Sequence, residues 1–255
     1  MDPGFGRYIY GIIRNSEPVN FGQFGIGSNS DHVYTVIFKN ISAVVSSSPI
    51  VRYEARRVNM IAHQKVLEEV MKQFSVLPVR FSTISPHDND EAIINILKDD
   101  YQRFDNLLIK MNKKKEMGLK VMASEQPVYE SIIQKHDNIR RLRDKLVDKP
   151  FDKTHKERIK IGEMVFSALK DEIEIYKDYI LGKLSPIAED VKVNDNYGNF
   201  MVLNAAFLIN EEKEPLFDNE VNQIDQKYEG LMTIKYVGTL PPYNFVNLSI
   251  KTLGV

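Results

Sequence analysis

The sequence predicts an α+β protein of two domains, and three observations carry that expectation. Runs rich in Val, Ile and Tyr alternate along the chain with helices of clear apolar periodicity. From residue 116 to 237 the order of elements is β-α-β-β-α-β, the ferredoxin-like split motif, with an enlarged first crossover. A chain of 255 residues with 43% apolar composition is long enough to bury two cores. The expected layout is an N-terminal mixed α/β domain over 1–112, a ferredoxin-like domain over 113–239 and an extended tail over 240–255.

Strand patterns open the chain at Tyr8 to Ile13, then at Val33 to Phe38 and Ile41 to Val45, between Gly, Asn and Ser punctuation. Asn59 is placed to cap a helix whose Met60, His63, Leu67, Val70 and Phe74 recur at spacings of three and four, which covers a sheet. Val76 to Thr83 follows as a strand. The pattern from Ile93 to Met111 then predicts one long helix over Asp90 to Asn112, and the run Lys113-Lys114-Lys115 marks an exposed boundary between domains near residues 108 to 116.

Past that boundary Met117, Leu119 and Val121 alternate as a strand. A helical region runs from Glu125 to Leu184, interrupted near Asp148-Lys149-Pro150, and Ser185-Pro186 ends it. Strands are expected at Ile187 to Val193 and Phe200 to Asn210, the latter apolar on both faces as a central strand is. Pro215 opens a helix with Phe217, Val221 and Ile224 on one face, and Leu231 to Val237 closes the series. Pro241-Pro242 keeps the tail out of any interior strand.

Composition removes several functions. Thirty-four basic against 35 acidic side chains give a net charge of −1, far from the balance of a nucleic-acid binder. Charge is uneven along the chain, with 15 basic and 9 acidic residues over 111–170 and 7 against 14 over 171–255. Mixed-charge helices explain that asymmetry without a partner. With no Cys, disulfide frameworks, thiolate metal sites and cysteine nucleophiles are excluded. The first residues lack a basic patch followed by an apolar run, and no apolar window reaches membrane-spanning length, so the protein is expected to be soluble and not secreted.

The motifs that would carry chemistry are missing or have plainer explanations. Gly22, Gly25 and Gly27 give G-x-x-G-x-G, which reverses the dinucleotide fingerprint and reads as a turn; no phosphate-binding G-x-x-x-x-G-K-[ST] occurs. The five histidines lack metal-ligand spacing, so no metal or cofactor is expected. His63 shares an apolar stripe with Leu67 and Val70, where a buried histidine with one hydrogen-bond partner is preferred to a catalytic role. Pairs such as Glu68-Glu69 and Asp99-Asp100 lie on polar helix faces. The β-α-β-β-α-β order is also that of an RNA-recognition motif, but Phe200 to Ile209 contains no Arg or Lys and lacks the aromatic stacking platform.

Four segments, taken in order, resemble the gas vesicle protein F/L family. They are Tyr8-Ile9-Tyr10-Gly11-Ile12-Ile13; the helix Arg57-Val58-Asn59-Met60-Ile61-Ala62-His63-Gln64-Lys65-Val66-Leu67-Glu68; Val76-Leu77-Pro78-Val79-Arg80-Phe81-Ser82-Thr83, with Ser82 where Gly is usual; and Leu203-Asn204-Ala205-Ala206-Phe207-Leu208-Ile209 with Ile224 to Tyr228 and the tail Pro241-Pro242-Tyr243-Asn244-Phe245. Ahead of the tail, Val237-Gly238-Thr239-Leu240 replaces the usual Gly-Pro-Trp.

The resemblance implies a non-enzymatic accessory protein, cytoplasmic or at the gas vesicle, without cofactor or membrane insertion. It would bind the hydrophobic shell subunit and other accessory proteins during nucleation and assembly. Tyr10, Arg57, Asn59, His63, Arg80, Phe81, Asn204, Phe207, Pro242, Tyr243 and Phe245 are the candidate interface or structural residues. Arg80 either meets a carboxylate or reaches water at a sheet edge. The tail either packs on the body of the protein or docks a partner. A small-molecule-binding or enzymatic α+β protein is the alternative, because fold does not settle function.

Overall fold

The computed structural model describes residues 4–26 and 31–250, so Gly27 of the glycine pattern lies outside the described residues. The fold is mixed α+β, with two sheets and seven α-helices among the described residues. The chain divides into two units: residues up to Glu116 together with those from Thr239 onward, and Met117–Gly238.

In the first unit, β1 (Phe5–Ile13), β2 (Asn20–Gln23), β3 (His32–Phe38), β4 (Ile41–Pro49) and β5 (Val76–Pro78) form a sheet in the order β2-β3-β4-β1-β5, and the short β6 (Ile84–Ser85) also pairs with β1. β1 runs antiparallel to β4 from Phe5↔Pro49 to Ile13↔Ser42, with a bulge between Ile9 and Gly11. An extra residue in one strand resets the alternation of side chains. Tyr8, Tyr10 and Ile13 consequently share one core with Val66, Leu67 and Val70 of α1 (Arg57–Met71). Gly11 faces the same way, where a Cβ would stand 2.7 Å from Val76 Cγ2 and 3.0 Å from the Leu77 carbonyl oxygen, so no larger residue fits without displacing β5. On the other face, Tyr34 donates a hydrogen bond to Asp90 at the start of α2 (Asp90–Asp99), and the Arg7 Nε–H donates to the same carboxylate at 3.0 Å.

Several sequence expectations are corrected here. α1 begins at Arg57 with Arg56 in the extended cap position, and Asn59 lies in its first turn, where its amide donates 2.9 Å back to the Glu54 carbonyl. Met60 is exposed rather than on the buried stripe. The strand foreseen over Val76 to Thr83 stops at Pro78, because the chain turns through Ser82 at φ +62° before returning as β6. The helix foreseen over Asp90 to Asn112 is two, α2 and α3 (Tyr101–Met111), broken where Asp100 leaves helical geometry at φ −107°, ψ 16°.

The second sheet has the order β10-β7-β9-β8, from β7 (Lys114–Ala123), β8 (Asp190–Val193), β9 (Met201–Asn210) and β10 (Met232–Leu240). β9 is buried from Met201 through Ile209. The helical region between β7 and β8 is α4 (Glu125–Lys135), α5 (Asp137–Leu146) and the long α6 (His155–Leu184). Leu169, Ile173, Tyr176, Ile180 and Leu184 of α6 pack with Val128 and Ile132 of α4 and with Phe217, Val221 and Ile224 of α7 (Glu214–Lys227) in one core. Glu172, 5% exposed within that stripe, is compensated by Lys135 Nζ at 2.6 Å, the partner that keeps a buried carboxylate charged. β8 begins at Asp190 rather than Ile187, because Ile187 and Ala188 bond back to Leu184 and Ser185 in a closing turn.

Candidate functional site

The sequence-predicted residues do not converge on one point. Tyr10, His63 and Phe81 come together in the first unit; Asn204 and Phe207 belong to β9 of the second; Pro242, Tyr243 and Phe245 lie on the returning tail. Arg57 and Arg80 are exposed and have no ion-pair partner among the described residues.

The first cluster is a buried polar network inside an aromatic shell. Tyr8 and Tyr10 are stacked obliquely with ring centroids 4.7 Å apart, and His63 lies 5.6 Å from the Tyr10 ring and edge-on to Phe81 at 5.7 Å. The Tyr8 hydroxyl accepts from the Ser82 backbone N–H at 2.9 Å and lies 3.0 Å from His63 Nδ1. Which of the two donates follows the histidine tautomer, and in either tautomer this bond pairs Nδ1. Nε2 is buried and unpartnered among the described residues. Burial accordingly pushes the His63 pKa down to about 4, and pushes the Tyr8 phenol well above its ordinary range. The Tyr10 hydroxyl accepts from the Ile26 backbone N–H at 2.7 Å and shares a bond with Ser46 Oγ at 2.9 Å; burial raises its pKa to about 12.

These groups fix loops. Tyr8 holds Ser82, Ser82 Oγ accepts from the Tyr53 N–H at 3.0 Å, and Tyr53 in turn bonds Ser48 at 2.9 Å. The bulge at Tyr10 is mirrored across the strand gap: the Val79 N–H donates to the Tyr10 carbonyl, and the Ile9 N–H to the Thr83 carbonyl, each at 2.9 Å. Ser82 at φ +62° stands in left-handed geometry, which glycine adopts without the steric cost a serine carries. The loop is therefore clamped from three sides, with the buried, neutral His63 at its back. Such an arrangement offers rigidity, since its hydroxyls are engaged in holding backbone and one another. Among the described residues, no group of three or more His, Asp or Glu is placed to hold a metal ion.

In the second unit the Asn204 amide donates to the Asp195 carbonyl at 3.0 Å, and its own carbonyl accepts from the Asn194 N–H at 2.7 Å, so Asn204 closes the β8–β9 turn. Phe207 packs on Phe217, with centroids 5.1 Å apart. The tail is anchored by a residue that sequence reasoning missed. Glu116, 2% exposed, accepts from both the backbone N–H of Asn244 at 2.8 Å and its side-chain amide at 2.6 Å. The Asn247 carbonyl accepts from Arg103, Val246 and Leu248 are buried, and Tyr243 stays 40% exposed. A carboxylate beside three lysines at a strand start was the only available signal, and it pointed to solvent.

The chain's relatives agree with this architecture. It is 29% identical to gas vesicle protein F of Nostoc sp. (strain PCC 7120), over 96% of this chain and 99% of that one. Against gas vesicle protein L1 of Halobacterium salinarum the identity is 24%, over 94% and 90%. The crystal structure of the gas vesicle protein GvpF from Anabaena sp. PCC7120 superposes with a TM-score of 0.81 at 28% identity, covering 96% of this chain and all of that one; that of GvpF from Microcystis aeruginosa gives 0.74 at 25%, covering 95% and 99%. The family described as gas vesicle synthesis protein GvpL/GvpF matches residues 6–247, and this chain belongs to it.

Proposed function

We propose that this protein is a gas vesicle accessory protein of the cytoplasm that binds the hydrophobic shell subunit and other accessory proteins while the vesicle is nucleated and built. The observation that carries the reading is the family match over residues 6–247, which includes both units and the tail as far as Asn247. The chemistry of the molecule is in keeping with it: the polar clusters are spent on holding loops and turns, and no helix among the described residues is long and apolar enough to cross a membrane. The sheet edges β8 and β10 present main-chain groups of the kind an aggregation-prone subunit can pair with. Within this reading the second unit is a ferredoxin-like domain. Its strand order β10-β7-β9-β8 follows the 4-1-3-2 arrangement of a split β-α-β-β-α-β unit, and that supports the assignment. Tyr10, Asn59, His63, Phe81, Asn204 and Phe207 then serve the framework, and the exposed Arg57, Arg80 and Tyr243 are the members available to partners.

The test is deletion of the gene from a vesicle-forming cell, followed by electron microscopy and affinity capture on the returned, tagged protein. The reading expects loss of vesicles, restored by the intact chain, and recovery of shell subunit with the tag. Normal vesicles in the deletion strain, or a thermal shift of several degrees with a metabolite and no capture of shell subunit, would refute it.

A further inference from the structure

The loop that the buried tyrosines hold forms one wall of a cleft. Ile50, Val51 and Arg52 face Arg80, Phe81, Ser82, Thr83 and Ile84 across a space of about 450 Å³. Its apolar lining comes from Ile50, Val51, Phe81 and Ile84, and Val51 is 40% exposed. Two arginines, Arg52 and Arg80, line it. Most arginines of this chain are engaged: Arg7 with Asp88 and Asp90, Arg14 with Asp105, and Arg56 with Glu54 at 2.6 Å. Arg52 and Arg80 are exposed, and neither has an ion-pair partner among the described residues.

From this juxtaposition we infer that the cleft binds a short acidic segment of a partner protein, an extended stretch in which Asp or Glu side chains flank an apolar one. The apolar side chain fills the space against Phe81 and Ile84, and the carboxylates meet Arg52 and Arg80 in the forked geometry guanidinium favours. Charge complementarity fixes the sign of the ligand, since two unpaired cations beside a recess of mixed polar and apolar lining leave a basic or neutral segment without compensation. The shape fixes its kind. A recess of this size admits a few side chains of a strand, whereas a lipid surface is broad and calls for a protruding face. Its walls are also preformed: Ser82 is tied to both Tyr8 and Tyr53, and the Thr83 carbonyl to the Ile9 N–H, so little ordering cost falls on this side when the segment binds. A non-glycine residue kept at φ +62° by surrounding bonds is the sort of local cost that survives at a recognition loop. The inference goes beyond the shell-assembly reading and stands without it.

The full chain is titrated, by fluorescence anisotropy, into a labelled octapeptide of alternating glutamate and leucine, with a glutamine-for-glutamate peptide alongside and phosphatidylserine/phosphatidylcholine vesicles in a parallel series. Binding of the glutamate peptide is expected to weaken about tenfold in the Arg52→Gln/Arg80→Gln double variant, to weaken similarly with the glutamine peptide, and to fall with added salt. Both arginines are exposed, so the variant keeps the wild-type melting temperature. Amide shifts on adding the peptide should cluster at residues 50–52 and 80–84. Equal affinity for wild type and double variant, shifts confined to another surface, or arginine-dependent binding of the vesicles without binding of the peptide would each overturn the inference.

Discussion

Acid should weaken this protein through His63, by an amount that follows from its burial. The ring is 2% exposed, shares one hydrogen bond with Tyr8 through Nδ1 and leaves Nε2 unpartnered among the described residues, and its pKa is lowered to about 4 from 6.5. Between those two values the unfolded chain binds a proton that the folded one refuses. Stability is therefore full above pH 6.5 and declines as the pH falls, by about 1.4 kcal/mol per unit, to a loss of roughly 3 kcal/mol near pH 4. His63→Phe removes the titration and keeps an aromatic ring in the shell. At neutral pH it forfeits one hydrogen bond worth about 1 kcal/mol and leaves the Tyr8 hydroxyl without that partner, but it also removes the unsatisfied buried Nε2, so its stability there should stay within about 1–2 kcal/mol of wild type. Urea unfolding followed by tyrosine fluorescence from pH 8 to pH 4 gives both curves, and their difference isolates His63 from every other titrating group. The difference should be flat above pH 7 and should close or invert by roughly 3 kcal/mol toward pH 4. Parallel curves across the whole range would refute the reasoning, because they would mean that folded and unfolded His63 bind protons alike.

Three further outcomes are expected. Ser82→Gly relieves the left-handed backbone, worth about 1–2 kcal/mol, and loses the Tyr53 N–H···Oγ bond, so it should be near neutral; Ser82→Ala keeps the strain and loses the bond, and thermal melts should rank it lowest of the three, about 1 kcal/mol below wild type. Glu116→Gln leaves one oxygen to accept two donors from Asn244 and turns an amide toward one of them, which should cost about 1–3 kcal/mol and raise proteolysis after residue 240, measured by timed digestion. Gly182→Ala in the last turn of α6 meets nothing within 4 Å and should stabilise the second unit by at most about 0.5–1 kcal/mol in denaturant titrations.

Elements whose stability is local were legible in the sequence. The α6 stripe Leu169, Ile173, Tyr176, Ile180 and Leu184 is buried as its spacing requires, and β9 is buried along its length because every residue from Met201 to Ile209 is apolar or, in Asn204, closes its own turn. Features fixed by partners far along the chain left no such mark. His63 finds Tyr8 55 residues away, and Glu116 finds Asn244 128 residues away, so neither alternation nor helical period could foretell those bonds. The stop at Pro78 was missed because Val79 to Thr83 is as strand-like in composition as the residues before it; what ends the strand is a serine at positive φ, a geometry that serine rarely advertises. The break at Asp100 carries no Gly or Pro, the residues by which helix ends are usually read.

The bulge in β1 connects these hidden features. By simple alternation, Tyr8 and Tyr10 would share a face with Ile12, and Ile13 would lie opposite. The extra residue instead brings Gly11 and Ile13 to the face that Tyr8 and Tyr10 already share, toward α1, and requires glycine where the strand meets Val76. A bulged strand cannot keep an unbroken ladder with a flat neighbour, and the neighbour answers by looping out between Pro78 and Ile84 while still closing two backbone bonds, Val79 N–H to Tyr10 and Ile9 N–H to Thr83. The excursion carries Arg80 and Phe81 past the sheet edge, Arg80 to solvent and Phe81 against His63. The same one-residue insertion that turns Gly11 and Ile13 inward therefore accounts for the exposed arginine: a regular strand across residues 76 to 83 would have kept Arg80 within the ladder and left no recess beside Ile50 to Arg52.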